Sequence, residues 1–420
     1  MGARFQAPRG TFDVLPDESG ARARLFVEAV ELLDRAGYGR IETPVFEDTE
    51  LFARGVGAAT DVVRKEMFTF ADQGGRSITL RPEATASICR AYVEHGMHRL
   101  AQPVKLWWHG PLFRHERPQA GRFRQFTQLD AEAIGSDSPL VDAELIVLLD
   151  DLLRALGVPR LELRLGSLGS LAARAAYRDE LRAYLREHED ALSGDVRERI
   201  DENPLRAFDA KDPSTREVMA AAPTMLERLP DDDAEHFAAV RRVLDRSGIA
   251  YEVDATLVRG LDYYTRTVFE FHCDHLGAQS QVAGGGRYDG LVELVGGPPT
   301  PACGWAAGIE RILLAVADAP PAPATDVFVA APDDGRERAL VLARELRHAG
   351  LRAEIDLAGR SIKGQMKQAD RLGSRWTLIL DDDGTAALRD MESGEQREVD
   401  LGRAVEEVSS ALASPQPRES

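Results

Sequence analysis

Between Phe113 and Phe126 the chain carries four arginines, Arg114, Arg117, Arg122 and Arg124, against one glutamate, Glu116, with Pro118 and Gly121 marking a turn between two strands. The returning strand alternates. Phe126, Gln128, Asp130 and Glu132 share one face, while Thr127, Leu129, Ala131 and Ala133 share the other. This hairpin constrains the fold more than any other stretch. A mostly apolar face needs a core behind it, whereas a face bearing an aromatic ring and three polar groups makes a poor core and a good pocket wall. The plainer alternative is a solvated edge hairpin, since charged loops are often merely wet.

Periodicity divides the rest of the chain. Leu25/Phe26, Ala29/Val30 and Leu32/Leu33 recur at helical spacing before Gly37, which predicts a helix over 17–36. Strands are expected at 41–46, 67–70 and 77–80, a helix from Glu83, and further strands at 104–108, 112–115 and 124–134. From about 168 to 246 the sequence is rich in Ala, Arg and Glu, with a helical pattern and no strand signal, which predicts a helical insertion. Strands resume at 251–258 and 267–272. The proline-rich stretch 319–324 reads as a stiff linker. The expected division is therefore a first domain over 1–318, a linker over 319–326 and a second domain over 327–420. In the second domain, strands at 327–330, 352–355 and 376–380 alternate with a helix over 335–350 and a basic helix, giving a small α/β unit with a disordered tail from Ser414.

Composition excludes several classes. No apolar run is long enough to cross a bilayer, and the first nine residues lack the apolar core of a signal peptide, so a cytoplasmic protein with no membrane partner is expected. Cys89, Cys273 and Cys303 lie too far apart for a disulfide framework or a Cys-x-x-Cys zinc site. His272-Cys273-Asp274-His275 offers ligand-type residues, but strand alternation sends them to opposite faces; His95-x-x-His98 lacks the spacing of a zincin helix. No protein-bound metal is expected. A net charge of −18 argues against indiscriminate nucleic-acid binding, though not against a local basic groove. Arg360, Lys363, Lys367 and Arg371, spaced by three, four and four, predict such a basic stripe on one helical face; a merely solvated helix is the alternative.

Two glycine-bearing stretches complete the pattern. Gly304-Trp305-Ala306-Ala307-Gly308-Ile309-Glu310-Arg311 joins an apolar strand to a helix start, and its glycines would admit a ligand close to the backbone. Gly284-Gly285-Gly286 lacks the Gly-Lys-Ser/Thr of a Walker loop, so a close backbone approach or a sharp bend is expected there. Together with the hairpin, and with a long helix followed by a strand carrying Pro44, the 304–311 stretch resembles the three signature motifs of class II aminoacyl-tRNA synthetases. The stretches 257–270, with Arg259-Gly260-Leu261-Asp262-Tyr263-Tyr264, and 283–291, with Gly286-Arg287-Tyr288-Asp289-Gly290, resemble the two peptides peculiar to histidyl-tRNA synthetases. The resemblance runs on through Pro8-Arg9-Gly10, 60–67, Arg81-Pro82-Glu83 and Gly359-Arg360-Ser361-Ile362-Lys363, and so covers nearly the whole chain. Ala84 departs from it, standing where many relatives have glycine.

The resemblance implies an α+β fold: a class II antiparallel sheet flanked by helices, a helical insertion, a carboxyl-terminal anticodon-binding α/β domain, and a homodimer built around the first motif. It implies a ligase that activates L-histidine with ATP, accompanied by Mg2+, to histidyl-adenylate and pyrophosphate, then passes histidine to the terminal adenosine of its tRNA. Such a reaction builds charge on phosphoryl oxygens, which arginine's planar, permanently charged fork suits. By the same resemblance, Arg114 grips the α-phosphate and the substrate carboxylate, and Arg259 stands near the α-phosphate where other members of the class rely on a metal. Arg311 covers the adenine face opposite Phe126, Arg122 reaches the outer phosphates, and Glu116 accepts from the adenine amino group. Glu83, Thr85 and Gln128 accept from the ammonium of histidine, with Ala84 also placed in the histidine site; Glu132 and Tyr264, with Tyr263 beside them, take its imidazole. Arg117 and Gln119 join Arg360, Lys363, Lys367 and Arg371 as tRNA contacts. Asp130 receives no role. Two alternatives share much of this pattern: the non-catalytic regulatory subunit of ATP phosphoribosyltransferase, and a class II synthetase for glycine, threonine or proline.

Overall fold

The computed structural model describes residues 5–57, 60–316, 325–381 and 385–413. The residues expected to form most of the linker, 319–324, and the tail from 414 lie outside them. The chain divides near residue 319 into two compact units.

In the larger unit the strands are β1 (Gly39–Arg40), β2 (Phe46–Asp48), β3 (Phe68–Ala71), β4 (Ser77–Leu80), β5 (Val104–Phe113), β6 (Gln125–Ile134), β7 (Leu161–Ser167), β8 (Glu252–Val253), β9 (Thr265–Cys273), β10 (Gln281–Arg287) and β11 (Ala302–Gly308). Eight of them form one sheet in the order β1-β5-β6-β11-β10-β9-β7-β8. The six inner strands run antiparallel throughout, whereas β1 and β8 pair in parallel at the edges, so the sheet is mixed rather than purely antiparallel. A small sheet, β2-β4-β3, stands apart.

The two faces of the large sheet have different duties. On one, Leu129, Ala131 and Ala133 of β6 pack with Trp305 and Phe269 under the helices Pro16–Arg35, Pro139–Ala155 and Asp231–Arg246. On the other, Trp108, Tyr263, Tyr264 and Tyr288 gather around the helix Thr85–Glu94, leaving a concavity. The β6 alternation read from sequence is therefore realised: an apolar face on the core, a polar face toward the opening.

Several elements differ from expectation. The strand expected over 41–46 does not form: β1 ends at Arg40 and β2 begins at Phe46, and between them the carbonyls of Thr43 and Pro44 accept from Arg81 Nη1 at 2.8 and 3.2 Å instead of joining a ladder. The strands expected at 104–108 and 112–115 are one, β5; Pro111 is tolerated because β1 reaches only Leu106 and Trp107, leaving β5 one neighbour there. The strand expected over 251–258 shrinks to β8, ended by Asp254, whose side chain accepts from the Thr256 amide at 2.8 Å and turns the chain. The helix Pro139–Ala155 is not anticipated, although Ser138 caps it, Pro139 opens it and Gly157 follows it. Nor is β7.

The stretch 168–246 is helical, and its parts pack differently. The helices Leu171–Glu187, Gly194–Arg199 and Pro213–Ala220 enclose a small core of their own around Tyr177, Leu181, Leu185, Ile200 and Met219. Phe237, Val240 and Leu244, from Asp231–Arg246, belong instead to the core beneath the large sheet.

In the smaller unit β12 (Val327–Ala330), β13 (Ala353–Ile355), β14 (Trp376–Leu380), β15 (Ala386–Asp390) and β16 (Gln396–Val399) form a sheet in the order β13-β12-β14-β15-β16. β13, β12 and β14 are parallel, and β15 and β16, which the sequence reading omits, are antiparallel additions. The basic helix is Ile362–Arg371, pinned to β12 by buried Gln365, which exchanges hydrogen bonds with the Ala331 backbone at 2.8 and 2.9 Å. It starts after Arg360, so the expected four-residue stripe loses its first member. Arg360 instead lies in the preceding turn, paired with Asp356 at 2.6 Å. Lys363, Lys367 and Arg371 are exposed.

Candidate active site

The concavity encloses about 300 Å³. β6 supplies its floor through Gln128, Asp130 and Glu132, with Phe126 at the outer end. Glu132 is fully buried and held at both oxygens: Thr85 Oγ1 donates to Oε1 at 2.7 Å, and the Tyr288 hydroxyl donates to Oε2 in a short hydrogen bond. Burial pushes its carboxyl up to about 8, against the pull of these two donors. Gly304, facing Glu132 across the β6–β11 pair, has no room for a side chain, because a Cβ there would lie 1.6 Å from Glu132 Oε2. The expected close approach to this glycine is thus made by the protein's own carboxylate. Gly308, expected to do the same, is open, its nearest neighbour being 3.8 Å from where a Cβ would sit.

Glu83 precedes the helix Thr85–Glu94, and its carboxylate accepts from the Ala86 amide at 3.0 Å. Burial pushes it up to about 7, opposed by that amide and by Arg114. It is both a helix-start carboxylate and a wall of the cavity. Ala84, between Glu83 and Thr85, is buried and does not line the cavity.

Arginines enter from three elements. Arg114, just past β5, donates from Nε to the Pro82 carbonyl at 2.8 Å and lies over the Phe126 ring, 5.3 Å from its centroid. Arg259 lies over the Tyr264 ring at 5.1 Å and forms a close ion pair with Glu270 of β9. Burial opposes its charge, but Tyr264 and Glu270 hold the guanidinium above its ordinary value. Glu270 is kept below the usual carboxylate range by Arg259 and His272, despite its burial. His272 serves this network at 3.0 Å from Glu270. Gly284 lets Arg259 in: a Cβ there would meet Arg259 Nη1 at 2.8 Å, so the glycine run is a central strand kept bare for its neighbours, not a bend. Arg311, from the helix after β11, donates to the carbonyls of Gly121 and Gln281 at 3.1 and 2.9 Å. At the mouth Arg122 pairs with Glu116 at 2.7 Å.

The loop carrying Arg259, Tyr263 and Tyr264 is braced from the helical insertion. Arg174 donates to the carbonyls of Asp262 and Tyr264 at 2.6 and 2.8 Å, Asn203 to the Asp262 side chain at 2.9 Å, and Arg206 to the Gly260 carbonyl at 2.9 Å. Behind β10, buried Arg287 donates to Asp142 and to the carbonyls of Ser136 and Ser138.

Of the thirteen residues expected at the ATP and histidine sites, all but Ala84 line this one cavity. Arg117 and Gln119 lie on the exposed loop beyond it, and the basic helix is in the smaller unit. Sequence reasoning passed over Tyr288, Glu270 and Glu310, although all three stand inside the quoted motifs. Glu310 accepts from Arg22 and from the Thr127 amide, both at 3.0 Å, tying the helix after β11 to β6 and to the first helix. Arg174 carried no local signal at all.

Six antiparallel strands with parallel edges, an arginine hairpin on β5–β6, and a second arginine where β11 becomes a helix define the catalytic domain of a class II aminoacyl-tRNA synthetase. Within that class the histidyl-tRNA synthetase family model matches residues 10–312, and an anticodon binding domain matches 326–411. Relatives named histidine–tRNA ligase from Rubrobacter xylanophilus and Thermosynechococcus vestitus are each 48% identical, covering 95% and 93% of this chain and 97% and 93% of their own. The crystal structure of apo S. aureus histidyl-tRNA synthetase is 35% identical and covers 96% of this chain and all of its own, with a TM-score of 0.79. The chain belongs to the histidyl-tRNA synthetase family.

Proposed function

We propose that this chain activates L-histidine with ATP, releasing pyrophosphate, and then esterifies its tRNA. The observation that carries the reading is the convergence of Arg114, Arg259 and Arg311, from three separate elements, on a cavity whose inner end holds Glu83, Glu132 and Tyr264. In-line attack of a carboxylate on the α-phosphorus needs fixed positive charge more than covalent help. Arg114, anchored on Pro82, holds the α-phosphate and the carboxylate of histidine. Arg259, kept charged by Glu270, meets the charge that develops at phosphorus. Arg311 and Phe126 sandwich adenine, Glu116 accepts from its amino group, and Arg122 takes the outer phosphates. Glu83, Thr85 and Gln128 receive the ammonium, with Ala84 shaping the turn between the first two. Glu132, Tyr264 and Tyr263 select the imidazole. Magnesium adds positive charge at the pyrophosphate portion of ATP.

Lys363, Lys367 and Arg371, with Arg360 before them, engage the anticodon arm, while Arg117 and Gln119 meet the acceptor end. The protein works as a cytoplasmic homodimer; no helix among the described residues is long and apolar enough to cross a membrane. The match of relatives over both units favours this activity over the regulatory alternative. ATP–pyrophosphate exchange with each amino acid in turn tests it. Exchange should require histidine, and histidinol, lacking the attacking carboxylate, should bind without reacting. Exchange with another amino acid, or with none, overturns the assignment.

A further inference from the structure

Asp130 lies between Gln128 and Glu132 on the pocket face of β6, lines the cavity and is 1% exposed. Its Oδ1 has no hydrogen-bond partner among the described residues. A buried carboxyl oxygen left bare is costly, and in a cavity wall it marks where a donor belongs. The nearby cations do not fill that place. Arg81 spends itself on the carbonyls of Pro111, Thr43 and Pro44 and stacks on Trp108 at 4.5 Å, while Arg114 donates to Pro82. Of the other ammonium acceptors, the Glu83 carboxylate already takes the Ala86 amide. An ammonium brings three N–H donors.

We infer that Asp130 is a further substrate-binding residue, accepting a hydrogen bond from the α-ammonium of the amino acid beside Glu83. The inference rests on the reading of this cavity as the histidine site. Burial and the neighbouring Glu132 and Glu83 hold the Asp130 carboxyl well above the usual carboxylate range, with Arg114 and Arg81 opposing. The entering cation supplies both the missing donor and the counter-charge for its ionised form.

Calorimetric titration of the full-length protein and Asp130→Asn with histidine, histamine, imidazolepropionate and ATP separates the outcomes. Histidine and histamine carry the ammonium, and should bind the variant about ten- to a hundredfold more weakly, as expected for loss of a charge-assisted hydrogen bond. Imidazolepropionate and ATP lack it and should change less than about twofold by the same reasoning. Asp130→Ser, which removes the carboxyl with a smaller side chain, should repeat the pattern should the asparagine variant fail to fold. Unchanged histidine affinity in a folded variant, or equal loss for all four ligands, overturns the role of Asp130. A wild-type protein that binds ATP but not histidine overturns the histidine-site reading itself.

Discussion

Substituting Gly304 by alanine should be unusually damaging for the addition of one methyl group. The new Cβ would lie 1.6 Å from Glu132 Oε2 and 2.5 Å from its Cδ, with the Ala131 carbonyl at 2.7 Å closing the backbone side, whereas ordinary contact begins at 3.4 Å. Glu132 would have to retreat by about 2 Å, far beyond what packed atoms absorb without losing their contacts. It cannot retreat and keep both Thr85 and Tyr288. Two buried hydrogen bonds are worth about 1–1.5 kcal/mol each. Overpacking adds about 1–3 kcal/mol. The expected destabilisation is therefore about 3–6 kcal/mol, shared between folding and histidine binding. Urea unfolding with and without histidine, alongside calorimetric titration of histidine and of ATP, reads both shares. Gly308→Ala is the control, because its Cβ would find nothing within 3.8 Å, and its stability should stay within about 0.5 kcal/mol of wild type. A Gly304→Ala protein with wild-type stability and histidine affinity would refute the account of Glu132 as a residue locked between Thr85, Tyr288 and the β11 backbone.

Other consequences can be measured independently. Arg259→Ala should lower kcat by about 100-fold or more while moving the KM for histidine far less, because its charge acts on the transition state; near-wild-type kcat would remove it from the chemistry. Glu132 and Glu83 are raised in the fold to about 8 and about 7 from an ordinary 4.5, so between those values the folded protein binds more protons than the unfolded chain. Unliganded stability should accordingly be greatest below about pH 5 with respect to these two groups and fall as pH rises to about 8. Melting temperatures across that range should show the fall, and Glu132→Gln should flatten it; an unchanged slope would mean that Glu132 does not titrate there. Deleting residues 319–420 should leave histidine-dependent pyrophosphate exchange while raising the KM for tRNA strongly. Neutralising Lys363 and Lys367 together should reduce the salt slope of tRNA binding by up to about two; normal charging by the truncated protein would give the smaller unit another purpose.

Local pattern in the sequence was enough for much of this. Period-two alternation put Gln128, Asp130 and Glu132 on one face of a strand and Leu129, Ala131 and Ala133 on the other, since side-chain direction along a strand depends only on position. The same holds for the first helix and for the exposed face of Lys363, Lys367 and Arg371. The motif peptides likewise contain most of the cavity lining. Tertiary structure alone decided what those side chains do for one another. Glu132 is held by Thr85 and Tyr288, 47 and 156 residues away, and the loop of Arg259 is braced by Arg174, 88 residues from Asp262. Gly304 is bare because of a carboxylate on the next strand, and 41–46 does not form one strand, Arg81 taking the carbonyls of Thr43 and Pro44. Periodicity reports the direction in which a side chain leaves its own backbone; burial, ionisation and hydrogen bonding depend on which distant segment lies opposite, and the pairing of strands settles that.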